Sequence, residues 1–285
     1  WAYLRDDERH PQINKAIQST YEPGSTFKML TLLSYMRQNQ AYDHFTFDCH
    51  GEETFTDENV IHCYNNKRHG EQTLKEAFAN SCNTAFANVG LALNLEEYRK
   101  MCDDFLFNSS LPLEMAYNSS KFPMDANATE HEILQTVIGQ GKTLVTPMHM
   151  AMITSAIANG GNMMTPYVVD EIQSYYGDTV EKNSPKIYKS IMTSQEAETL
   201  TEYMQEVVTH GTAGKLKNSS YSVAGKTGTA EVEGKKPNSW FVGFAPAEQP
   251  EIVVSVVVED SGVGSDYAVP ITKKILDQYR KKYHN

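Results

Sequence analysis

Apolar residues recur at helical spacing over residues 27–37, directly behind a Pro23-Gly24 turn. The pattern predicts a buried helix, within a helical stretch of about 12–40 that frays at Gln38-Asn39-Gln40, with Ser25 on its first turn. Periodicity is lost over 42–70, where Asp, Asn, His, Gly and Cys are frequent. That composition predicts an irregular excursion held by something other than a packed core. Two helices are expected over 74–79 and 83–95, broken by a short turn, and a third over 95–107; residues 109–127, rich in Ser, Pro and Asn, are expected to be loop. Thr146-Pro147 opens a helix over 148–159 with an N-cap hydroxyl and a proline at its first position, and Asn159-Gly160-Gly161 stops it. Its Met148, Met150 and Met152 are expected to face the core. Residues 167–176 and 179–182, separated by Gly177-Asp178, predict a β-hairpin, and 194–208 a further amphipathic helix. The last quarter predicts three antiparallel strands, 222–232, 238–244 and 252–259, closed by a helix over 267–283.

A chain of 285 residues with 40% hydrophobic content can bury a substantial core, and one domain over 1–285 is expected. Its helical lobe should fall at roughly 40–160, and its sheet and closing helix at 165–285. A net charge of -11 and a pI near 5.3 argue against a nucleic-acid partner, because no basic stripe is available to displace counterions. The small basic group Arg280-Lys281-Lys282 suits the solvated end of a helix. No run of eighteen apolar residues is present, so the chain as given contains neither a membrane span nor a signal sequence.

The candidate chemistry starts at Ser25 and Lys28, three residues apart and therefore neighbours on one helical face, where an amine can serve as the base of a serine nucleophile. Taken alone, S-x-x-K more often means a capping serine and a solvated lysine. Downstream, however, come Ser81-Cys82-Asn83 and then Lys226-Thr227-Gly228-Thr229-Ala230. S-x-x-K, S-x-N and K-T-G in this order form the known signature of penicillin-binding proteins and class A β-lactamases. The chain resembles the transpeptidase domain of class B penicillin-binding proteins. The likeness extends through Tyr21-Glu22-Pro23-Gly24, His69-Gly70, Ile138-Gly139-Gln140-Gly141, Ala158-Asn159-Gly160-Gly161 and Trp240-Phe241-Val242-Gly243-Phe244.

The resemblance implies an α+β fold, an antiparallel sheet flanked by helices with an all-helical lobe, and acyl transfer from a D-alanyl-D-alanine stem peptide. Ser25 would be the nucleophile and Lys28 its base, neutral because burial and the like charge of Lys226 lower its pKa. Ser81 would pass the proton to the leaving group, and Asn83 would hold Lys28 and the substrate backbone. Lys226, Thr227 and Thr229 would hold the terminal carboxylate, and Gly228 would let the peptide approach the strand. The amides of Ser25 and Thr229 would form the oxyanion hole. No cofactor is needed for that chemistry. An amine of a second stem peptide would resolve the acyl-enzyme, and β-lactams would acylate Ser25. The resemblance also places a pedestal domain and a membrane anchor upstream of this chain, the domain on the extracytoplasmic face of the bacterial cell membrane, and a membrane glycosyltransferase among its partners. Two rival readings share Ser25: a β-lactamase or D,D-carboxypeptidase, which hydrolyses the acyl-enzyme, and a non-catalytic β-lactam-sensing receptor. Glu114 and Asn118 copy the spacing with which class A β-lactamases hold a hydrolytic water, but in a polar loop they are expected to be surface groups.

Cys49, Cys63, His69 and Cys82 supply three thiolates and an imidazole, the ligand set of a closed zinc site. Cys82 lies between two residues expected to face the cleft, so its own side chain should point away, where a zinc would tie the 42–70 excursion to the back of the S-x-N turn. A Cys49–Cys63 disulfide is the competing arrangement and remains open at this point, since an exported domain allows it. His50 and His62 are alternative ligands, and Cys102 is expected to be plain core.

Overall fold

The computed structural model describes residues 2–7, 10–56 and 58–284. Short helices α1 (Ala2–Arg5) and α2 (Lys15–Gln18) precede a 3-10 turn, Gly24–Phe27, which runs straight into α3 (Lys28–Gln38). The 42–73 excursion holds β1 (Thr46–Cys49), β2 (Glu52–Thr56), β3 (Asn59–His62) and β4 (Gly70–Thr73). Helices α4 (Leu74–Ala79), α5 (Asn83–Leu91), α6 (Leu95–Asp104), α7 (Glu130–Val137) and α8 (Pro147–Ala158) follow. A second excursion holds β5 (Asn162–Met164), β6 (Glu171–Gln173), β7 (Thr179–Lys182) and β8 (Ile187–Ser190). The chain ends with α9 (Ser194–Thr209), β9 (Ala224–Ala230), β10 (Asn238–Ala245), β11 (Ile252–Val258) and α10 (Ala268–Tyr283).

Strands β9 to β11 form the expected antiparallel sheet in the order β11-β10-β9, with Trp240 opposite Gly228 and Val242 opposite Lys226. Every residue of β10 is buried, as a central strand covered on both faces requires. α3 is buried from Lys28 to Tyr35, and Phe27 at its start stacks on Phe122 and meets Phe107 edge-on. These contacts make α3 the axis of the molecule. α4, α7 and α9 each begin with a threonine capping box, and α8 begins with the Thr146 cap and Pro147, so helix starts follow local chemistry closely. Met150 and Met152 are buried and Met148 is packed on the core, as their spacing predicts. The fold is α+β. Among the described residues no helix is long and apolar enough to cross a membrane.

Three expectations need correction. The expected Pro23-Gly24 turn is present, with Gly24 at φ +54, but the first turn that carries Ser25 is 3-10, and the α-helix proper opens at Lys28. The 42–70 excursion is more regular than its sequence suggests, because β1 pairs with β4 and β2 with β3. These strands are four or five residues long with one buried residue each or none, so what alternation they have, as in β1, is too short to stand out. The predicted hairpin exists, but its first strand starts at Glu171 rather than 167, and it is carried on an unforeseen pairing of β5 with β8.

Candidate active site

Glycines bring the three motifs together. An added Cβ at Gly24 would fall 2.6 Å from the carbonyl oxygen of Thr229, and one at Gly139 would fall 1.9 Å from that of Gly24. The turn bearing Ser25 is therefore seated main chain to main chain between β9 and the Ile138-Gly139-Gln140-Gly141 segment. The Gly24 amide donates to the Gly139 carbonyl at 2.9 Å, and the Trp240 indole donates to the Glu22 carbonyl at 3.1 Å. Gly228 belongs to the same packing. Its absent side chain leaves room for Pro23 O and Thr26 Cγ2, each 2.9 Å from where a Cβ would lie. The space at Gly228 is thus used by the nucleophile's own turn, and the expected opening for a peptide is not what this glycine provides.

Ser25 lines a cleft of about 600 Å³ with Ser81, Asn83, Thr227, Gly228 and Thr229. Both lysines are fully buried. Lys28 Nζ donates to Ser81 O at 2.8 Å and to Asn83 Oδ1 at 2.7 Å, and lies 5.3 Å from the centroid of the Phe86 ring. Lys226 Nζ donates to Ser81 Oγ at 2.9 Å and lies 5.4 Å from that of Phe78. Ser81 adopts φ +58, which turns its hydroxyl toward both amines at the break between α4 and α5. Burial lowers the Lys28 pKa to about 8, against the opposing pull of charge on Cys82 and Cys63. Lys226 is pushed down by burial first and by the charge of Lys28 second. The expected repulsion between the amines is therefore felt at Lys226, while burial is what depresses Lys28. A neutral Lys28 has two N–H bonds, and two good acceptors hold them. Its lone pair is left for a third group.

The sequence missed several parts of the cleft. Thr212, from the turn after α9, hydrogen-bonds Thr227, Oγ1 to Oγ1, at 2.5 Å. The Gln140 amide donates to the Thr229 carbonyl at 3.3 Å, and the Gly264 amide donates to Thr229 Oγ1 at 3.3 Å. Gln140 stood inside a quoted segment; Thr212 and Gly264 carry no local signal. The loop from Val60 through Lys67 forms the opposite wall. It joins the catalytic groups at Asn83, whose amide nitrogen donates to His62 O at 2.8 Å while its oxygen accepts from Lys28. Glu114 and Asn118 lie elsewhere, on exposed loop, and Asn118 bonds to the main chain of Ile17 and Gln18.

Beside that wall, the Sγ atoms of Cys49, Cys63 and Cys82 and a ring nitrogen of His69 all lie within 4.8 Å of one another. Cys49–Cys63 and Cys63–Cys82 sulfur separations are both 3.7 Å, and His69 Nδ1 is 3.3 Å from Cys49 Sγ. A tetrahedral site with metal–sulfur bonds of about 2.3 Å has sulfur–sulfur edges of about 3.8 Å. A disulfide would bring two of the sulfurs to about 2.05 Å, and all four cysteines are free thiols. Thr84 Oγ1 donates to Cys49 Sγ at 3.3 Å from within the cluster. The thiols share hydrogen: the bond to Cys63 pushes the Cys82 pKa up, and the same bond pulls Cys63 down. His50 and His62 are turned to Asp48 and Glu52 instead. Cys102 is buried on α6, as expected.

A serine on a turn packed against β9, sharing a cleft with a second serine that bonds two buried lysines, defines a serine acyl-transfer class of site. The chain belongs to the family described as penicillin binding protein transpeptidase domain, whose model matches residues 2–277. It is 32% identical to the peptidoglycan D,D-transpeptidase PbpA of Mycolicibacterium smegmatis, an alignment covering 97% of this chain and 58% of that protein. It is 33% identical to stage V sporulation protein D of Bacillus subtilis, covering 92% and 42%. Penicillin-binding protein A of M. tuberculosis, solved as a ceftriaxone acyl-enzyme complex, superposes with a TM-score of 0.88 at 27% identity, covering 97% of this chain and 64% of that one. The chain thus spans about half the length of the curated relatives it matches.

Proposed function

We propose that this domain is a D,D-transpeptidase that cross-links peptidoglycan stem peptides through an acyl-enzyme on Ser25. The observation that carries the reading is the buried Lys28 amine, its hydrogens held by Ser81 O and Asn83 Oδ1 in the cleft that Ser25 lines. Ser25 Oγ attacks the carbonyl of the penultimate D-alanine and gives its proton to the Lys28 lone pair. The amides of Ser25 and Thr229 receive the developing oxyanion, a donor worth roughly 3 kcal/mol of transition-state stabilisation each. Ser81 Oγ, which accepts from Lys226 at 2.9 Å and lies 3.5 Å from Lys28 Nζ, gives its hydrogen to the departing D-alanine nitrogen and takes in exchange the proton that Lys28 received from Ser25, which leaves Lys28 neutral again. The terminal carboxylate of the donor, held by Thr227 and Thr229, restores charge to Lys226, which burial otherwise disfavours. The amine of a second stem peptide then displaces Ser25 and forms the cross-link. β-Lactams present the same carbonyl and carboxylate and acylate the same oxygen.

The Cys49, Cys63, Cys82 and His69 donors fit a structural zinc, by their number, type and spacing. Such an ion would tie the cleft wall to the S-x-N turn and takes no part in acyl transfer. For the whole protein we assign the extracytoplasmic face of the cell membrane, an upstream anchor, and a membrane glycosyltransferase that supplies new strands as partner. The test is the intact mass of the domain after incubation with benzylpenicillin. One penicilloyl adduct is expected on the wild type and none on Ser25→Ala. Rapid loss of the adduct from the wild type would favour a β-lactamase, and an adduct on Ser25→Ala would end the assignment.

A further inference from the structure

The hydroxyls of Thr227 and Thr229 stand two residues apart on β9 and line the same side of the cleft. To hold an anionic group each must donate its single hydrogen forward, which requires that nothing behind it consumes that hydrogen. At Thr229 the condition is met by main chain: the Gly264 amide donates to Oγ1 at 3.3 Å, so the oxygen accepts from behind and its hydrogen is free. Gly264 can come this close only as glycine, because a Cβ there would lie 2.6 Å from both Gly228 O and Trp240 O.

At Thr227 the neighbouring hydroxyl is that of Thr212, at the edge of the same cleft. Its turn is anchored to α4 beside the S-x-N break: the Thr212 amide donates to Ala79 O at 3.2 Å, and a Cβ on Gly211 would fall 2.3 Å from that same oxygen. The side chain is thereby aimed at β9, and Thr227 Oγ1, 2.5 Å away, is the partner its hydroxyl meets. We propose that Thr212 is a positioning residue for recognition of the acyl donor's terminal carboxylate, its hydroxyl donating to Thr227 Oγ1 so that Thr227 donates to the carboxylate. The inference rests on the transpeptidase reading and deepens it. A chain of hydroxyls ending on an anion is polarised in one sense, and each link strengthens the next. Two threonines of the strand then act alike, one set by a backbone amide and the other by a side chain reaching from the turn after α9.

The test uses two thioester acyl donors with the same acyl-D-alanyl group, one with a thioglycolate leaving group bearing a free carboxylate and one with an uncharged ethanethiol leaving group. Thr212→Val should lower the second-order acylation constant for the thioglycolate donor about tenfold, the loss of one hydrogen bond in a chain ending on a charge. It should change that for the ethyl thioester less than about twofold, and Thr212→Ser should restore the first to within about twofold of wild type. Thr227→Val should show the same selectivity, and the double variant should lose little more than either single one, because the two hydroxyls act as one unit. If valine does not fit, Thr212→Ala poses the same question with a smaller side chain. Equal loss on both donors marks a structural role and overturns the proposal, as does no loss on either. A wild type that neither donor acylates overturns the transpeptidase reading itself, and this proposal with it.

Discussion

On one side of the cleft, Gly24, Gly139 and Gly228 let main chain lie against main chain, and the nucleophile's turn is fixed by contacts too tight for a single added carbon. On the other side, residues 60–67 belong to an excursion of short strands with almost no core of their own, drawn in by three cysteines and a histidine converging on one point. The first wall is held by packing, and the second gathers on the cluster proposed above to hold zinc. Asn83 spans both, with its oxygen on Lys28 and its nitrogen on the carbonyl of His62. The exposed excursion carrying β6 and β7 sharpens the contrast: its strands are just as short, it has no such cluster, and it contributes nothing to the cleft. The donor cluster stands only where irregular chain borders the cleft, among the described residues.

The largest expected effect lies on the packed wall. Gly139→Ala combines φ +83 with a Cβ placed on the Gly24 carbonyl, and backbone strain and overpacking together should cost about 4 kcal/mol. A urea midpoint close to that of wild type would break the packing half of the comparison. Next comes the stapled wall. Elemental analysis of protein purified without added metal should find one zinc per chain, and its removal by a chelator should lower the melting temperature by about 10 °C, as a loss of a few kcal/mol does in a domain of this size. Acylation by penicillin should slow but persist, since the seat of Ser25 does not involve the cluster. Absence of zinc together with a mass two hydrogens below the reduced chain would hand the staple to a disulfide. The smallest effect concerns pH. Lys28, lowered to about 8 by burial, must be neutral to act as base. The acylation rate should therefore fall about tenfold per unit as pH drops below 8 and level off above it. A flat profile between pH 6 and 8 would remove Lys28 from that role.

What the sequence revealed follows the same division. Motif order singled out Ser25, Ser81 and Asn83, which line one cleft, and Lys28 and Lys226, which both reach Ser81 from buried positions, and the Thr146-Pro147 cap located the start of α8 within a residue. Those features are written in neighbouring residues. Thr212 could not be found this way, because its meaning lies in a partner fifteen positions along the chain and on another element. The pairings of β1 with β4 and of β5 with β8 were hidden because strands of three or four residues, mostly exposed or half-buried, are too short for their alternation to stand out. Gly228 was legible as a necessary glycine, but not for the right neighbour: the sequence suggested a substrate, whereas the turn of Pro23 and Thr26 fills the space. His69, chosen from the sequence ahead of His50 and His62, is the histidine that joins the three cysteines.

The contact of Gly24 with the carbonyl of Thr229 also limits how this protein can answer antibiotic selection. Substitutions that reshape the seat of the nucleophile forfeit the fold. Drift toward resistance would thereby be steered to the rim, to side chains such as Tyr64 and Lys67 that stand on the other wall, away from the seat of Ser25.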